Sequence, residues 1–171
     1  MSAVTISGVN SMADDQFEWV FGNVIELCAD AAVQVKKKRP FNNLADLCAA
    51  FHKYLDDLSV EGKLQILQSH PDLAGRLAAQ GALTKESTEE QRSAGLQDVT
   101  SEQKSIIDLC NERYKKKFGF PFIICARENK VLSIIEGLQK RYDNTREQEI
   151  QTGINEVKKI CKLRILDIVK N

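Results

Sequence analysis

Apolar residues recur at helical spacing along almost the whole of this chain, and the two-residue alternation of a half-buried β-strand is almost absent. The prolines, which interrupt helices, number three and stand at positions 40, 71 and 121. The sequence therefore predicts an all-α fold. Because 171 residues is the length of one ordinary domain, we expect a compact single-domain bundle of about eight helices over residues 1–171.

Capping residues and glycine or proline breaks divide the chain into eight predicted helices. Their approximate bounds are 15–30, 31–38, 44–55, 60–68, 86–96, 101–118, 130–141 and 146–169. Asn43 and Ser59 are expected to cap two of them, and Thr100 and Thr145 are each followed after three residues by a glutamine, which is the spacing of a capping box. Residues 71–85 are rich in turn-forming residues.

Charge and cysteine content narrow the classes of function. Lysine plus arginine equals aspartate plus glutamate at 24 each, so the chain lacks the positive charge of a typical nucleic-acid-binding protein. Five widely spaced cysteines without a CxxC motif argue against a disulfide framework and a zinc site, and favour reduced core residues. No stretch approaches 18 apolar residues, so no membrane span is expected, and the N-terminal residues lack a signal-peptide pattern.

His70 is the strongest candidate for a catalytic side chain. It precedes Pro71, and a residue before proline is pushed out of the α region, so the helix should end there and leave His70 on a rim. An imidazole can take and give a proton near neutral pH. The structural alternative is a histidine at a helix C-terminus that interacts with the helix dipole. His52, in the middle of a helix among charges, is expected to be a surface residue.

Three further segments have both a functional and a structural interpretation. Ser87 and Glu90 have the spacing of a capping box, which would account for Glu90 without any role in an active site. Residues 122–126 form an apolar run too short to distinguish an extended segment from a helical turn. Arg164 stands in an apolar helical stretch, where an arginine either reaches to water or meets an anion.

Motifs for several chemistries are missing. The sequence contains no glycine-rich phosphate loop, no GxSxG, no HExxH and no dinucleotide fingerprint. With two histidines far apart and no cysteine cluster, we expect no metal site.

Four segments taken together resemble the OHCU decarboxylase family. They are HPDLAGR at 70–76, STEEQ at 87–91, FGFPFIICAR at 118–127 and EVKKICKLR at 156–164. OHCU is 2-oxo-4-hydroxy-4-carboxy-5-ureidoimidazoline, an intermediate of urate breakdown. The resemblance runs from Phe17 to Arg164 and implies an all-helical, cofactor-free, homodimeric decarboxylase that yields (S)-allantoin in the third step from urate.

The resemblance also implies the residues of the site. By it, the catalytic residues are His70, Glu90 and Arg164. The substrate-binding residues that it implies are Pro71, Ser87, Thr88, Glu89, Glu90, Gln91, Phe122, Ile123, Ile124, Cys125 and Ala126. Many animal members carry a peroxisomal tripeptide at the C-terminus, whereas the last four residues here are IVKN. A peroxisomal location is therefore expected from the resemblance alone, with the cytoplasm as the alternative.

Decarboxylation leaves an electron pair on carbon and needs an electron sink, which OHCU supplies through its conjugated imidazoline ring. The hypothesis assigns His70 as the acid and base, with Glu90 orienting it and favouring its protonated form. Arg164 would hold a substrate oxygen, while Ser87, Gln91 and the backbone of residues 122–126 would bind the ureido and ring amides. The competing hypothesis is a non-enzymatic helical module that binds a ligand or a partner.

Overall fold

A computed structural model describes residues 4–170, without the side chains of residues 76 and 77. It contains α-helices of four to 23 residues joined by short connections. Their bounds are α1 Ile6–Ser11, α2 Asp14–Phe21, α3 Ala29–Val35, α4 Leu44–Asp56, α5 Val60–Gln68, α6 Arg76–Ala79, α7 Lys85–Ser93, α8 Ser101–Phe118, α9 Val131–Arg141 and α10 Arg146–Ile168. Over the described residues the β-structure amounts to an isolated bridge between Val4 and Val169. The predicted all-α fold is confirmed.

By its internal contacts the chain divides into two compact units. The first comprises Met1–Gly62 and Lys158–Asn171, and the second comprises Lys63–Val157. The expectation of one domain over residues 1–171 stays a prediction. Within residues 4–170, no helix combines the length and apolar character that a membrane crossing requires.

Helix starts agree with the predicted caps where a polar side chain meets the first free amides. The Asn43 Oδ1 atom accepts a hydrogen bond from the amide of Asp46 at 2.9 Å, and this caps α4. At the start of α8 the Thr100 and Gln103 side chains form the predicted reciprocal capping box. The amide and hydroxyl of Thr145 bond to Gln148 in the same way before α10. These ends were predictable because the interactions are local in sequence.

One long predicted helix, 15–30, is wrong, because the chain leaves the helical path between α2 and α3. The Asn23 Oδ1 atom accepts from the amide of Leu27 at 2.8 Å, and its Nδ2 donates to Glu26 Oε1 at 3.1 Å. An asparagine side chain that bonds to nearby backbone competes with the helix. Leu27 adopts a left-handed φ of 53°. The short helices α1 and α6 were not predicted, since their periodicity spans too few residues.

An aromatic cluster forms the core of the second unit beside the end of α8. The Tyr114 ring lies 4.5 Å from that of Phe118 and meets the Phe122 ring edge-on at 5.3 Å. Gly119 ends α8 with a left-handed φ of 85°. From there the chain runs through an irregular, non-helical segment and enters a 3-10 turn over Ala126–Glu128. The sequence left open whether residues 122–126 are extended or form a helical turn. Residues 122–125 are not helical, and the 3-10 turn begins only at Ala126.

Gly119 provides a test of this turn. A Cβ atom here would lie 3.8 Å from the nearest side-chain atom, so Gly119→Ala adds conformational strain without a steric clash. We expect the free energy of unfolding to fall by about 1 kcal/mol, measured by urea denaturation. Gly119→Asn is the matched control and should cost less, because asparagine tolerates the left-handed region. Equal losses in the two variants would contradict this explanation.

Candidate active site

His70 is held by the helix that precedes it. Helix α5 ends at Gln68, two residues before His70, which confirms the break predicted at the His-Pro step. His70 is 8% exposed and therefore lies deeper than the rim position expected from the sequence. Its Nδ1 atom lies 2.9 Å from the carbonyl oxygen of Ile66. Because a carbonyl can only accept, Nδ1 carries the hydrogen, and in the neutral imidazole Nε2 is then the nitrogen without one.

The loop that follows His70 is fixed by side chains from two helices. Gln91 accepts from the amide of Ala74 at 2.9 Å and donates to the carbonyl of Asp72 at 3.3 Å. Asn111 donates to the carbonyl of Leu73 at 3.0 Å. Both ends of the Gln91 amide therefore serve the loop, and α7 is tied directly to the segment that carries the histidine.

The N-terminus of α7 differs from the prediction. Its N-cap is Thr84, whose hydroxyl accepts from the amide of Ser87 at 3.2 Å. The expected capping box of Ser87 with Glu90 is wrong, because Ser87 is already the third residue of the helix. A competing cap three residues upstream starts the helix first. The structural explanation proposed for Glu90 is thus removed.

Within residues 87–91 the structure separates buried from exposed side chains. Ser87, Glu90 and Gln91 are buried, whereas Glu89 is exposed and pairs with Arg92 at 3.3 Å. The remaining residue of the segment, Thr88, is half-buried, and its hydroxyl donates to the backbone carbonyl at position 84. The buried side chains are therefore better placed than that of Glu89 to serve an enclosed site.

The carboxylate of Glu90 faces a cation. Its Oε2 atom lies 3.6 Å from Arg127 Nη2, and the Glu90 side chain is 8% exposed against 27% for Arg127. Arg127 belongs to the 3-10 turn that packs against α7. Residues 87–91 and the end of the 122–126 segment therefore meet in the second unit.

The segment 122–126 is held by backbone hydrogen bonds to side chains. Arg141 Nη1 donates to the carbonyl of Ile123 at 2.7 Å, and the amide of Cys125 donates to Glu156 Oε1 at 3.0 Å. Asn129 donates to the carbonyl of Cys125 at 2.9 Å. Sequence analysis did not identify Arg141 or Glu156 as part of the site. No sequence signal pairs them with this segment, because the separations are 18 and 31 residues.

His70 and Pro71 line a cavity of about 380 Å³. Its other walls are Gln68, Asp72, Lys115, Gly119, Phe120 and Pro121. This volume falls in the range of small-molecule pockets. The histidine therefore borders space that can admit water or a small molecule.

Arg164 lies in the first unit, where it is 3% exposed. Its Nη1 atom donates to the carbonyl of Asn23 at 2.8 Å and to Glu26 Oε1 at 3.0 Å. Of the two interpretations left open by the sequence, the one in which the arginine reaches to water is wrong. The anion that it meets within its own unit is Glu26, which is 138 residues away in sequence.

His52, expected at the surface, is half-buried, and its Nε2 atom lies 3.1 Å from the carbonyl oxygen of Lys158. Burial lowers the pKa of His52, and this outweighs the opposing effect of the bond to Lys158. The expectation of a simple surface histidine is wrong. The pairing with Lys158 spans 106 residues and could not be read from the local pattern.

Cys125 lies within the candidate substrate-binding segment and is buried. Burial raises the pKa of its thiol from 9.0 to about 11, and the carboxylates of Glu128, Glu156 and Glu90 act in the same direction. Since the nucleophilic form of cysteine is the thiolate, this thiol is poorly suited to covalent catalysis. Its backbone amide and carbonyl bond to the side chains of Glu156 and Asn129.

This predicts slow alkylation of Cys125. With iodoacetamide at pH 8 and limited reaction time, the partly exposed Cys110 should be labelled well before Cys125, as measured by peptide mass spectrometry. Denatured protein is the control, in which the two residues should react at similar rates. Labelling of Cys125 ahead of Cys110 in the folded protein would contradict the assignment of a protonated, inert thiol.

Comparison with known proteins places the chain in a family. A sequence model described as OHCU decarboxylase matches residues 10–166. The 2-oxo-4-hydroxy-4-carboxy-5-ureidoimidazoline decarboxylase of Amia calva is 45% identical over 95% of this chain and 93% of its own length. The protein of the same name from Xenopus laevis is 41% identical over 97% of this chain and 95% of its own length.

A solved structure described as (S)-allantoin synthase has the same fold. It superposes with a TM-score of 0.80 at 23% identity, covering 98% of this chain, which in turn spans about half (54%) of that longer chain. The family match and the two relatives extend over nearly all residues that form the helices described above. This chain belongs to the OHCU decarboxylase family.

Proposed function

We propose that this protein converts OHCU to (S)-allantoin and CO₂. The observation that carries the proposal is the near-full-length identity of 45% and 41% to two proteins that bear the name of this decarboxylase. The buried His70 and Glu90, on segments joined through Gln91, provide the candidate site. The reaction is a step of urate degradation.

The chemistry requires one bond to break and one proton to be delivered. The bond between the ring carbon and its carboxylate breaks, CO₂ leaves, and the electron pair enters the conjugated imidazoline system. A proton is then added to one face of the neighbouring ring carbon, which bears the ureido group, while the hydroxyl on the decarboxylated carbon loses its proton and becomes a carbonyl. The protein has to orient the substrate, stabilise the developing charge and supply the proton from one side.

His70 is proposed as the group that handles protons. Its Nδ1–H is committed to the carbonyl of Ile66, so the ring orientation is fixed and Nε2 can exchange a proton with the substrate. It would take up the substrate hydroxyl proton and then protonate the carbon of the enolate-like intermediate. A histidine suits both steps because it changes charge near neutral pH.

Glu90 is proposed to orient His70 and to balance its charge, with Arg127 opposing the carboxylate at 3.6 Å. Arg164 is proposed, from the family resemblance, to hold an anionic or carbonyl oxygen of the substrate. Pro71, the segment 87–91 and the segment 122–126 are proposed to bind the ureido group and the ring amides. Gln91 is proposed to act on this site through its side chain, which holds the loop after His70.

Assembly and location are proposed on the resemblance alone. A homodimer of the 19.2 kDa chain is the expected assembly. A peroxisomal location is the expected one, with the cytoplasm as the alternative.

The decisive test of the activity is circular dichroism in the allantoin band. OHCU is formed in place from urate by urate oxidase and hydroxyisourate hydrolase, and this protein is added last. Because OHCU decays spontaneously to racemic allantoin, rapid appearance of a signal from (S)-allantoin reports catalysis. We expect His70→Asn to lower kcat by about 10²–10⁴-fold while its helical dichroism stays unchanged.

Two outcomes would contradict these proposals. Decay at the spontaneous rate to a racemate, with well-folded wild-type protein, would remove the enzymatic function and favour the ligand- or partner-binding module. Unchanged turnover in His70→Asn would leave the activity in place and overturn the role of the histidine.

Glu90→Gln should lower kcat by up to about 10²-fold, because the neutral amide cannot balance a protonated imidazole. Thr84→Ala is the control on the same helix. It removes the observed N-cap and should lower the free energy of unfolding by about 1 kcal/mol with kcat unchanged. Steady-state kinetics and urea denaturation measure the two effects. A Glu90→Gln variant that lost only stability would show that the carboxylate is structural.

A further inference from the structure

A fully buried carboxylate stands behind the segment 122–126. Glu149 of α10 is 0% exposed and accepts hydrogen bonds from three side chains. The Tyr114 hydroxyl lies at 2.5 Å, Arg141 Nε at 2.8 Å and Asn144 Nδ2 at 2.9 Å. A buried charge is strongly unfavourable without such partners, so Glu149 fixes the groups that surround it, and the Arg141 guanidinium above all.

The guanidinium of Arg141 connects this carboxylate to the segment in two ways. While Nε bonds to Glu149, Nη1 donates to the carbonyl of Ile123 at 2.7 Å. The same group lies over the Phe122 ring at 4.3 Å from its centre. A planar fork can make these contacts together, whereas an ammonium group is a single compact donor.

The other side of the segment is anchored separately. The Cys125 amide bonds to Glu156, so Ile124 lies between two fixed positions. Helix α9 approaches closely there, because a Cβ on Gly137 would lie 3.3 Å from Phe122 Cζ and 3.5 Å from Ile124 Cδ1. Through residues 4–170, no hydrogen bond involves the Ile124 backbone. Its N–H and C=O are the groups of this stretch that a ligand could use.

We propose that Arg141 is a positioning residue for substrate binding. Held by Glu149, it fixes the backbone at Phe122 and Ile123, so that the amide and carbonyl of Ile124 stand ready to bond to the planar amides of the substrate. The inference rests on the function proposed above. It assigns Arg141 an effect on substrate binding and none on the proton transfer at His70.

The test is Arg141→Lys in the OHCU assay. Lysine can keep the ion pair with Glu149 but cannot also bridge to the Ile123 carbonyl and cover Phe122. We expect KM to rise roughly tenfold, the effect of losing about 1.4 kcal/mol of binding, with kcat changed less than about twofold. Loss of binding that is uniform between ground and transition states appears in KM alone.

Asn144→Ala is the matched control, because Asn144 bonds to the same Glu149 carboxylate and not to the segment. It should lower Tm while KM stays unchanged. A second variant, Gly137→Ala, adds a methyl group against Phe122 and Ile124 without touching Arg141. Alanine favours the helix more than glycine does, so Gly137→Ala should fold even if Arg141→Lys does not. It should also raise KM.

The outcomes separate the two proposals. If folded Arg141→Lys turns over OHCU with the wild-type kcat and KM, the positioning role alone is overturned. If Arg141→Lys does not fold, the same result in Gly137→Ala overturns it. An equal rise of KM in Asn144→Ala overturns it as well, because the effect would then follow general loss of stability. A wild-type protein that leaves OHCU to decay spontaneously overturns the proposed function together with this inference.

Discussion

Buried backbone outside the helices must find hydrogen-bond partners, and in an all-α protein neighbouring side chains have to supply them. The second unit contains two such stretches, the loop after His70 and the irregular segment before residue 126. Gln91 and Asn111 bond to the loop, and Arg141 and Glu156 bond to the segment. Each helix that provides a partner is thereby tied to one of these two stretches, so the same hydrogen bonds that satisfy the backbone also hold the candidate site residues in place.

Buried charge follows the same rule in both units. Glu149 is surrounded by three donors, while Arg164 bonds to Glu26 and to a backbone carbonyl. Such groups stabilise little by themselves, because desolvation offsets most of their attraction. Removing one partner leaves the other charge buried and uncompensated, which is strongly unfavourable. These pairs therefore specify one arrangement of the surrounding backbone more than they add to total stability.

The sequence allowed the fold to be predicted where interactions are local. Thr100 and Thr145 cap their helices as predicted, since their partners are three residues away. The capping box assigned to Ser87 was wrong because Thr84 offers an earlier cap of the same chemistry. Sequence spacing alone cannot decide which of two possible N-cap residues, Thr84 or Ser87, begins the helix. The resemblance named the candidate site residues, but not the groups that support them, because Arg141 and Glu156 meet the segment across long separations.

The two interpretations of His70 are compatible. As the structural one requires, it lies after a helix C-terminus, where its Nδ1–H satisfies the carbonyl of Ile66 four residues earlier. That same bond selects the tautomer and fixes the ring, and this is the geometry that the proposed role in proton transfer at Nε2 would need. Pro71 keeps the helix from continuing and so holds the imidazole next to the carbonyl that it satisfies. A local capping interaction thus fixes the orientation of the His70 ring from within its own segment, and the side chains of Gln91 and Asn111 fix the loop beyond it.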